Sequence, residues 1–513
     1  MRNPTTFVLA AGLSTLTLLH ACAPQQRHRT EVIYPAQAPL TGAMSATPST
    51  PPPSDISSAL TSISPKRLRA AVDTLVSFGT RHTLSDTTSP TRGIGAARNW
   101  IKSQFEDIAR DSGRTGDMAL QVSFDSHSVQ PDGRRITREA DVVNVVCVIP
   151  GKDPSKRNRL HYVTAHYDSI CGQNTDSDCD APGANDNASG TALLFEMAHA
   201  AIRYPTDATI VLVATAGEEQ GLIGARLHAA DAKAQSLRIA SVLNNDIVGD
   251  PLGELVGSSN EAAKSWARTH VRVFSEGFPR NADTDTAGRL ITLALENDSP
   301  ARTLARYVAE TARRHNLDVQ PVITYRNDRF LRGGDHSAFI EHGFPSAVRF
   351  TVTNEDYNRQ HQYVRDEPVS RAQSTTHSAD SDPKFSVSSD TNVIRFGDRA
   401  EYVDEHYLAG VARLNAAALL HLANAPDTPT DTRIITANLT NDTTLRWTLA
   451  QDADGYEVLI RDTTSPDWQW AVDAGRVNEI TIPLSKDNVL FAVRAYNRKG
   501  CRSLPAVPTA ARE

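Results

Sequence analysis

A chain of 513 residues is long enough for more than one domain and for a large buried core. Charged residues make up 22% and the formal net charge is -7. That balance favours solubility and excludes the basic character of a nucleic-acid binder.

The N-terminus reads as a leader rather than as part of the fold. Arg2 precedes an apolar run, Phe7 to Leu19, which is too short to cross a bilayer and has the shape of a signal peptide. The run ends in Leu19-His20-Ala21-Cys22, which resembles the lipobox of bacterial lipoproteins, although His20 departs from the small or hydroxyl residue usual there. The resemblance implies a leader over residues 1–21, lipidation of Cys22 and a membrane anchor. Ala23, in place of the Asp that tends to retain lipoproteins at the inner membrane, implies the outer membrane. An ordinary secretion signal is the alternative. Residues 22–60, rich in Pro, Ser and Thr and including Pro51-Pro52-Pro53, are expected to form an extended, unpacked tether.

Residues 61–425 have the pattern of an α/β domain. Ser64-Pro65 is an N-cap and first-turn pair, and Leu68, Val72, Leu75 and Val76 follow at helical spacing. A second helix carries Ala96, Ala97, Trp100, Ile101 and Phe105. Between the two, His82 of Phe78-Gly79-Thr80-Arg81-His82 reads as structural or exposed, not as a ligand. Leu120–Ser126 and Asp141–Pro150 give strand signals, with Pro131-Asp132-Gly133 as a turn. Tyr162–Ala165, Thr209–Ala214 and Ile239–Leu243 are compact apolar strands separated by helix-like stretches, Thr191–Ile202 and Gly221–Ala230. This alternation predicts a mixed, mostly parallel sheet flanked by helices. In such sheets ligands gather at the carboxyl ends of the strands.

The polar residues fall where that rule puts them. One strand stops at His166-Tyr167-Asp168, another leads into Glu218-Glu219 and a third into Asn244-Asn245-Asp246. A polar loop after the first delivers Asp186 to the start of a helix. A strand-fixed His with a loop-carried carboxylate suits a metal. The paired acids can do two jobs, because neighbours in extended backbone point to opposite sides. One can bind metal while the other stands beside the water. Most Glu-Glu pairs are solvated turns, but the apolar strand before this one, with Gly217 and Gly221 around it, favours function. A further His is offered by Asp335-His336-Ser337 and by the segment Asn354–Asp366, which contains Tyr357-Asn358 and His361.

Taken together and in order, these motifs resemble the co-catalytic zinc aminopeptidase family over about Leu68 to Leu422, most of the globular chain. The resemblance implies a zinc-exopeptidase-like fold, two zinc ions and peptide substrates cut at the N-terminal residue. It implies His166 and Asp246 as ligands of one zinc, Glu219 and His361 as ligands of the other, and Asp186 as the bridge. Glu218 would be the general base and Asp168 the acid that orients the His166 ring. His336 would shape the pocket without binding metal, and a cis peptide often follows the bridging Asp, here at Asp186-Asn187. A glutaminyl cyclase is the alternative on the same fold, although Gln360 stands where those enzymes commonly have Trp. A binding protein without chemistry is the third reading, but no ligand is lost and Glu218 is present.

Cys171 and Cys179 lie in the loop between two proposed ligands, and in an exported chain they are candidates for a local disulfide. Cys147 and Cys501 are expected to be free. Ser370–Asn392 reads as an exposed insertion. Beyond Ala425-Pro426-Asp427 short alternating strands predict a small β-sandwich over residues 430–510, resembling a fibronectin type III module.

Overall fold

The computed structural model describes residues 44–45, 54–278, 282–330, 332–368, 393–437 and 439–512. The leader, Cys22 and the insertion after residue 368 lie outside them. Among the described residues no helix is long and apolar enough to cross a membrane.

The tether expected over residues 22–60 is shorter than its composition suggests. A two-residue strand, β1 (Met44–Ser45), pairs antiparallel with a strand of the C-terminal sandwich. Helix α1 (Ser54–Thr61) then buries Ile56, Ala59 and Leu60. Small polar residues masked this short apolar face. Helix α2 (Pro65–Ser77) starts as expected, with the Ser64 side chain accepting from the Arg67 amide, and it buries Leu68, Ala71, Val72 and Leu75. Helix α3 (Gly93–Asp111) buries Ile101, Phe105 and Ile108.

The sheet has eight strands: β2 (Gln121–Val129), β3 (Ala140–Ile149), β4 (Arg159–His166), β5 (Thr209–Thr215), β6 (Arg238–Asn245), β7 (His270–Ser275), β8 (Gln320–Thr324) and β9 (Ala347–Val352). Their spatial order is β2-β3-β5-β4-β6-β9-β7-β8. The central four, β5, β4, β6 and β9, run parallel. Antiparallel pairings join β3 to β5, β2 to β3 and β7 to β9. Strands β7, β8 and β9 extend the sheet beyond the strands read from the sequence. The runs His-Val-Arg-Val-Phe-Ser and Gln-Pro-Val-Ile-Thr carry polar residues and Pro inside them, which hid them. Every residue of β5 is buried, because helices cover both faces. Short helices α6 (Glu261–Ala267) and α7 (Thr284–Thr292) precede and follow β7, and helices α4 (Ser189–Arg203) and α8 (Pro300–Arg314) lie in the larger core cluster with α2 and α3. Helices α5 (Ile223–Ala234) and α9 (Asp335–Glu341) cover the other face through Ala229, Ala232 and Phe339. The closing helix α10 (Glu405–Asn424) is buried almost throughout.

Seven C-terminal strands, with β1 completing one sheet, form a sandwich of two four-stranded sheets. Trp447, Tyr456, Ile460, Phe491 and Val493 fill its core. Buried charges fasten it to α8. The two oxygens of Asp298 each accept from one arginine at 2.7 Å, Arg306 of α8 and Arg461 of the sandwich. Arg494 pairs with Glu310 of α8 at 2.6 Å and with Glu457 at 2.8 Å. The side chains of Asp298, Arg306 and Arg461 are at most 3% exposed, so neither guanidinium could find water if its partner were removed. Asp298→Ala should therefore destabilise the folded chain by about 3–5 kcal/mol. A denaturant-unfolding midpoint equal to that of the parent would contradict this.

Candidate metal centre

The parallel strands bring the site together at one edge of the sheet. β4 ends at His166, β5 runs into Glu218-Glu219, β6 runs into Asp246, and the chain leaving β9 reaches His361. All four carboxyl ends point the same way, so four distant stretches converge without any long loop having to search for the others.

His166 Nε2 stands 3.2 Å from Asp186 Oδ1 and 3.6 Å from Asp246 Oδ1. His361 Nε2 stands 3.1 Å from Asp186 Oδ2 and 3.1 Å from Glu219 Oε1. Asp186 thus turns one oxygen to each imidazole. The ligand atoms of His166, Asp186 and Glu219 lie within 4.8 Å of one another. Every sequence-predicted ligand is in this cluster. His336 is buried elsewhere, with its Nε2 on the Asn327 carbonyl at 2.8 Å. His82 is also buried, with Nε2 3.0 Å from the Asn174 carbonyl.

Asp168 touches more than the imidazole. The ring Nδ1 of His166 lies 3.1 Å from the Asp168 backbone oxygen and 3.5 Å from its carboxylate. That carboxylate also accepts from the amides of Glu218 at 3.3 Å and Glu219 at 3.2 Å. One residue therefore braces the His166 ring and holds the turn that carries the two glutamates.

The loop carrying Asp186 is held from two sides by residues that the sequence did not single out. Buried Arg81 donates to the carbonyls of Tyr167 at 2.6 Å, Pro182 at 2.6 Å and Gly183 at 2.9 Å, tying the end of β4 to the residues before Asp186. Asp398 accepts from the amides of Asn185 at 2.9 Å and Asp186 at 2.6 Å, and burial pushes its carboxyl up to about 7. Gly183 has φ +50°, and a Cβ there would stand 2.5 Å from the Asp186 carbonyl oxygen and 2.8 Å from Arg81 Nη2. Only glycine fits. The Asp186-Asn187 peptide is cis. Cys171 and Cys179 form a disulfide earlier in the same loop, while Cys147 and Cys501 are free and buried. On the far side Arg349, fully buried, lies 3.1 Å from Asp246 Oδ2 and 2.9 Å from Asp328. Lone arginines and an acid more than two hundred positions from its partner give no spacing signal in sequence.

The electrostatics ask for cations. Burial opposes ionisation of Asp186, but the imidazoles of His166 and His361 against its two oxygens hold it well below the ordinary carboxylate range. Burial pushes the carboxyls of Glu218 and Glu219 up, with neighbouring acids adding to the effect at both. Asp335, buried beside Thr215, is pushed up to about 6. Carboxylates crowded so closely resist ionising together unless positive charge is supplied. His166 Nε2 is also buried without a well-directed hydrogen bond, although two carboxylate oxygens are close. Imidazole nitrogens and carboxylate oxygens in this mixture suit zinc.

The site opens into a cavity of about 340 Å³ lined by Glu218, Glu219, Asp186, Asp246 and His361 together with residues outside the cluster. Because Asp398 fixes the backbone on which Asp186 is mounted, Asp398→Ala should weaken zinc binding about 10- to 100-fold. Competition against a chromogenic chelator measures this, and an unchanged affinity would remove Asp398 from the design of the site.

Comparison with known proteins agrees with the geometry. Residues 144–377 match the model of peptidase family M28. A probable zinc metalloprotease of Pyricularia oryzae is 41% identical over 465 residues, covering 89% of this chain and 85% of that protein. One of Leptosphaeria maculans is 39% identical over 458 residues, covering 89% and 97%. Among solved structures, LapB from Legionella pneumophila aligns over 71% of this chain and 74% of that one, with a TM-score of 0.45 and 18% identity. The 41% and 39% identity to the Pyricularia and Leptosphaeria proteins over 89% of this chain, together with the match at residues 144–377, makes this protein a zinc metallopeptidase of family M28.

Proposed function

We propose that the protein is an exported aminopeptidase that uses two zinc ions. The observation that supports this best is the Asp186 carboxylate, which faces His166 with one oxygen at 3.2 Å and His361 with the other at 3.1 Å. A shared carboxylate between two imidazole ligands is what a two-ion site needs. His166 and Asp246 would hold one ion, Glu219 and His361 the other, and Asp186 both. Zinc in such a site supplies Lewis acidity, which polarises the scissile carbonyl and acidifies the attacking water.

The chain's own residues carry the remaining steps. Glu218 lines the cavity beside the ligand cluster and is assigned to neither ion. It takes a proton from the water and passes it to the departing amine. Asp168 holds the Glu218 amide at 3.3 Å and the His166 ring from behind, so base and ligand keep a fixed relation.

Export and lipid attachment at Cys22 rest on the leader and its ending. The Cys171–Cys179 disulfide is consistent with an oxidising compartment. The sandwich, which we read as a fibronectin type III-like module, would serve to pack and space the catalytic domain.

Elemental analysis of the purified full chain should find about two zinc ions per chain, and aminoacyl reporters should lose their N-terminal residue. Glu218→Gln should keep both ions and lower turnover by about 10²- to 10⁴-fold. An active Glu218→Gln protein would remove the proposed base; one zinc per chain would remove the bridging role of Asp186.

A further inference from the structure

The cavity wall away from the ligands is cationic. Besides the metal-set carboxylates and Glu218, its charged residues are Arg135, Arg226, Arg329 and Arg332. Two of them are already neutralised. Arg226 of α5 lies 3.1 Å from Glu341 and donates to the Gly221 carbonyl at 2.7 Å. Arg329 lies 2.5 Å from Glu355 and 3.5 Å from Asp328. The other two differ. Arg135, exposed in the β2–β3 turn, donates to the backbone carbonyl of Glu219 at 2.8 Å. Arg332, exposed in the segment before α9, has no side-chain hydrogen bond or ion pair among the described residues. Neither has a carboxylate partner among the described residues. The rest of the wall is Ile170, Leu222, Asn174 and two glycines, none of which carries charge.

Resting on the peptidase reading above, we infer that this wall selects substrates with a carboxylate close to the scissile bond, and that Arg332 with Arg135 receives it. The metal-set carboxylates are occupied by the ligand cluster, so the wall's uncompensated charge is that of the two arginines. A planar guanidinium grips a carboxylate through paired N–H donors, which ties recognition to charge and to direction. The carboxylate has two chemical sources: an Asp or Glu side chain beside the cleaved bond, or the free C-terminus of a very short peptide. Both present the same group to the wall. An uncharged amide of equal size leaves the guanidinium without its counter-charge, and discrimination on the order of 10- to 100-fold follows.

The test uses the zinc-loaded full chain and matched peptides. One pair differs as Glu against Gln beside the cleaved bond; the other is a dipeptide with a free against an amidated C-terminus. We expect kcat/KM to favour the carboxylate member of at least one pair by about 10- to 100-fold, and the favoured pair identifies the source. Arg332→Glu should abolish or invert that ratio and favour Lys at the same position, while Arg332→Lys should restore part of it. Equal kcat/KM within both pairs, or a ratio unmoved by Arg332→Glu, overturns the inference. If no peptide is cleaved, calorimetric binding of the same pairs to the zinc-loaded chain gives the answer. A carboxylate preference lost in Arg332→Glu then retains the binding class while the peptidase reading fails, and binding without preference overturns the inference.

Discussion

The site depends on how one carboxylate is held. Asp186 faces His166 with one oxygen and His361 with the other, yet these three residues come from a strand end, a loop and a late segment with no local relation. Nothing in the Asp186 side chain itself fixes that aim. It comes from the backbone: Asp398 receives the two amides at Asn185 and Asp186, and Arg81 ties Gly183 to the end of β4. The disulfide shortens the freedom of the loop ahead of them. A carboxylate displaced by an ångström would face one imidazole and miss the other, so the buried scaffold around it is as much a part of the site as the clustered side chains.

The same economy runs through the sheet. Four parallel strands end side by side, and each contributes a residue of the cluster or the segment leading to one. Their interiors are uniformly apolar because helices cover both faces, which leaves the strand ends as the place where polar residues can gather without cost to the core. Asp168 shows how tightly the ends are joined, since its carboxylate meets the turn after β5 while its backbone oxygen meets the ring at the end of β4.

Charge organises the outer parts of the molecule differently in two places. Where the sandwich meets α8, every buried guanidinium of the Asp298 and Glu310 groups has its carboxylate, and the contact is closed. Around the cavity two guanidinium groups are matched and two have no carboxylate partner among the described residues. Matched charge inside an interface fixes a relation between domains; unmatched charge on the wall of a cavity is a demand on whatever enters it.

Much of this was legible in the linear chain. The sequence determines the strand ends at His166, Glu218-Glu219 and Asp246, because an apolar run that stops at an acid or a His is a local pattern. It also marks the helix start at Ser64-Pro65, the paired cysteines and the short alternating strands of the sandwich. It did not mark α1, whose three apolar residues are diluted by Ser and Asp, nor β7 and β8, whose runs are broken by Arg and Pro. Only the tertiary structure decided that Arg81, Asp398 and Arg349 brace the clustered side chains and that Arg135 and Arg332 face the same cavity. A ligand motif is set by neighbours within a few residues and can be read in order. A buried salt partner or a cavity wall is set by distance in space, and the chain carries no period or spacing that records it.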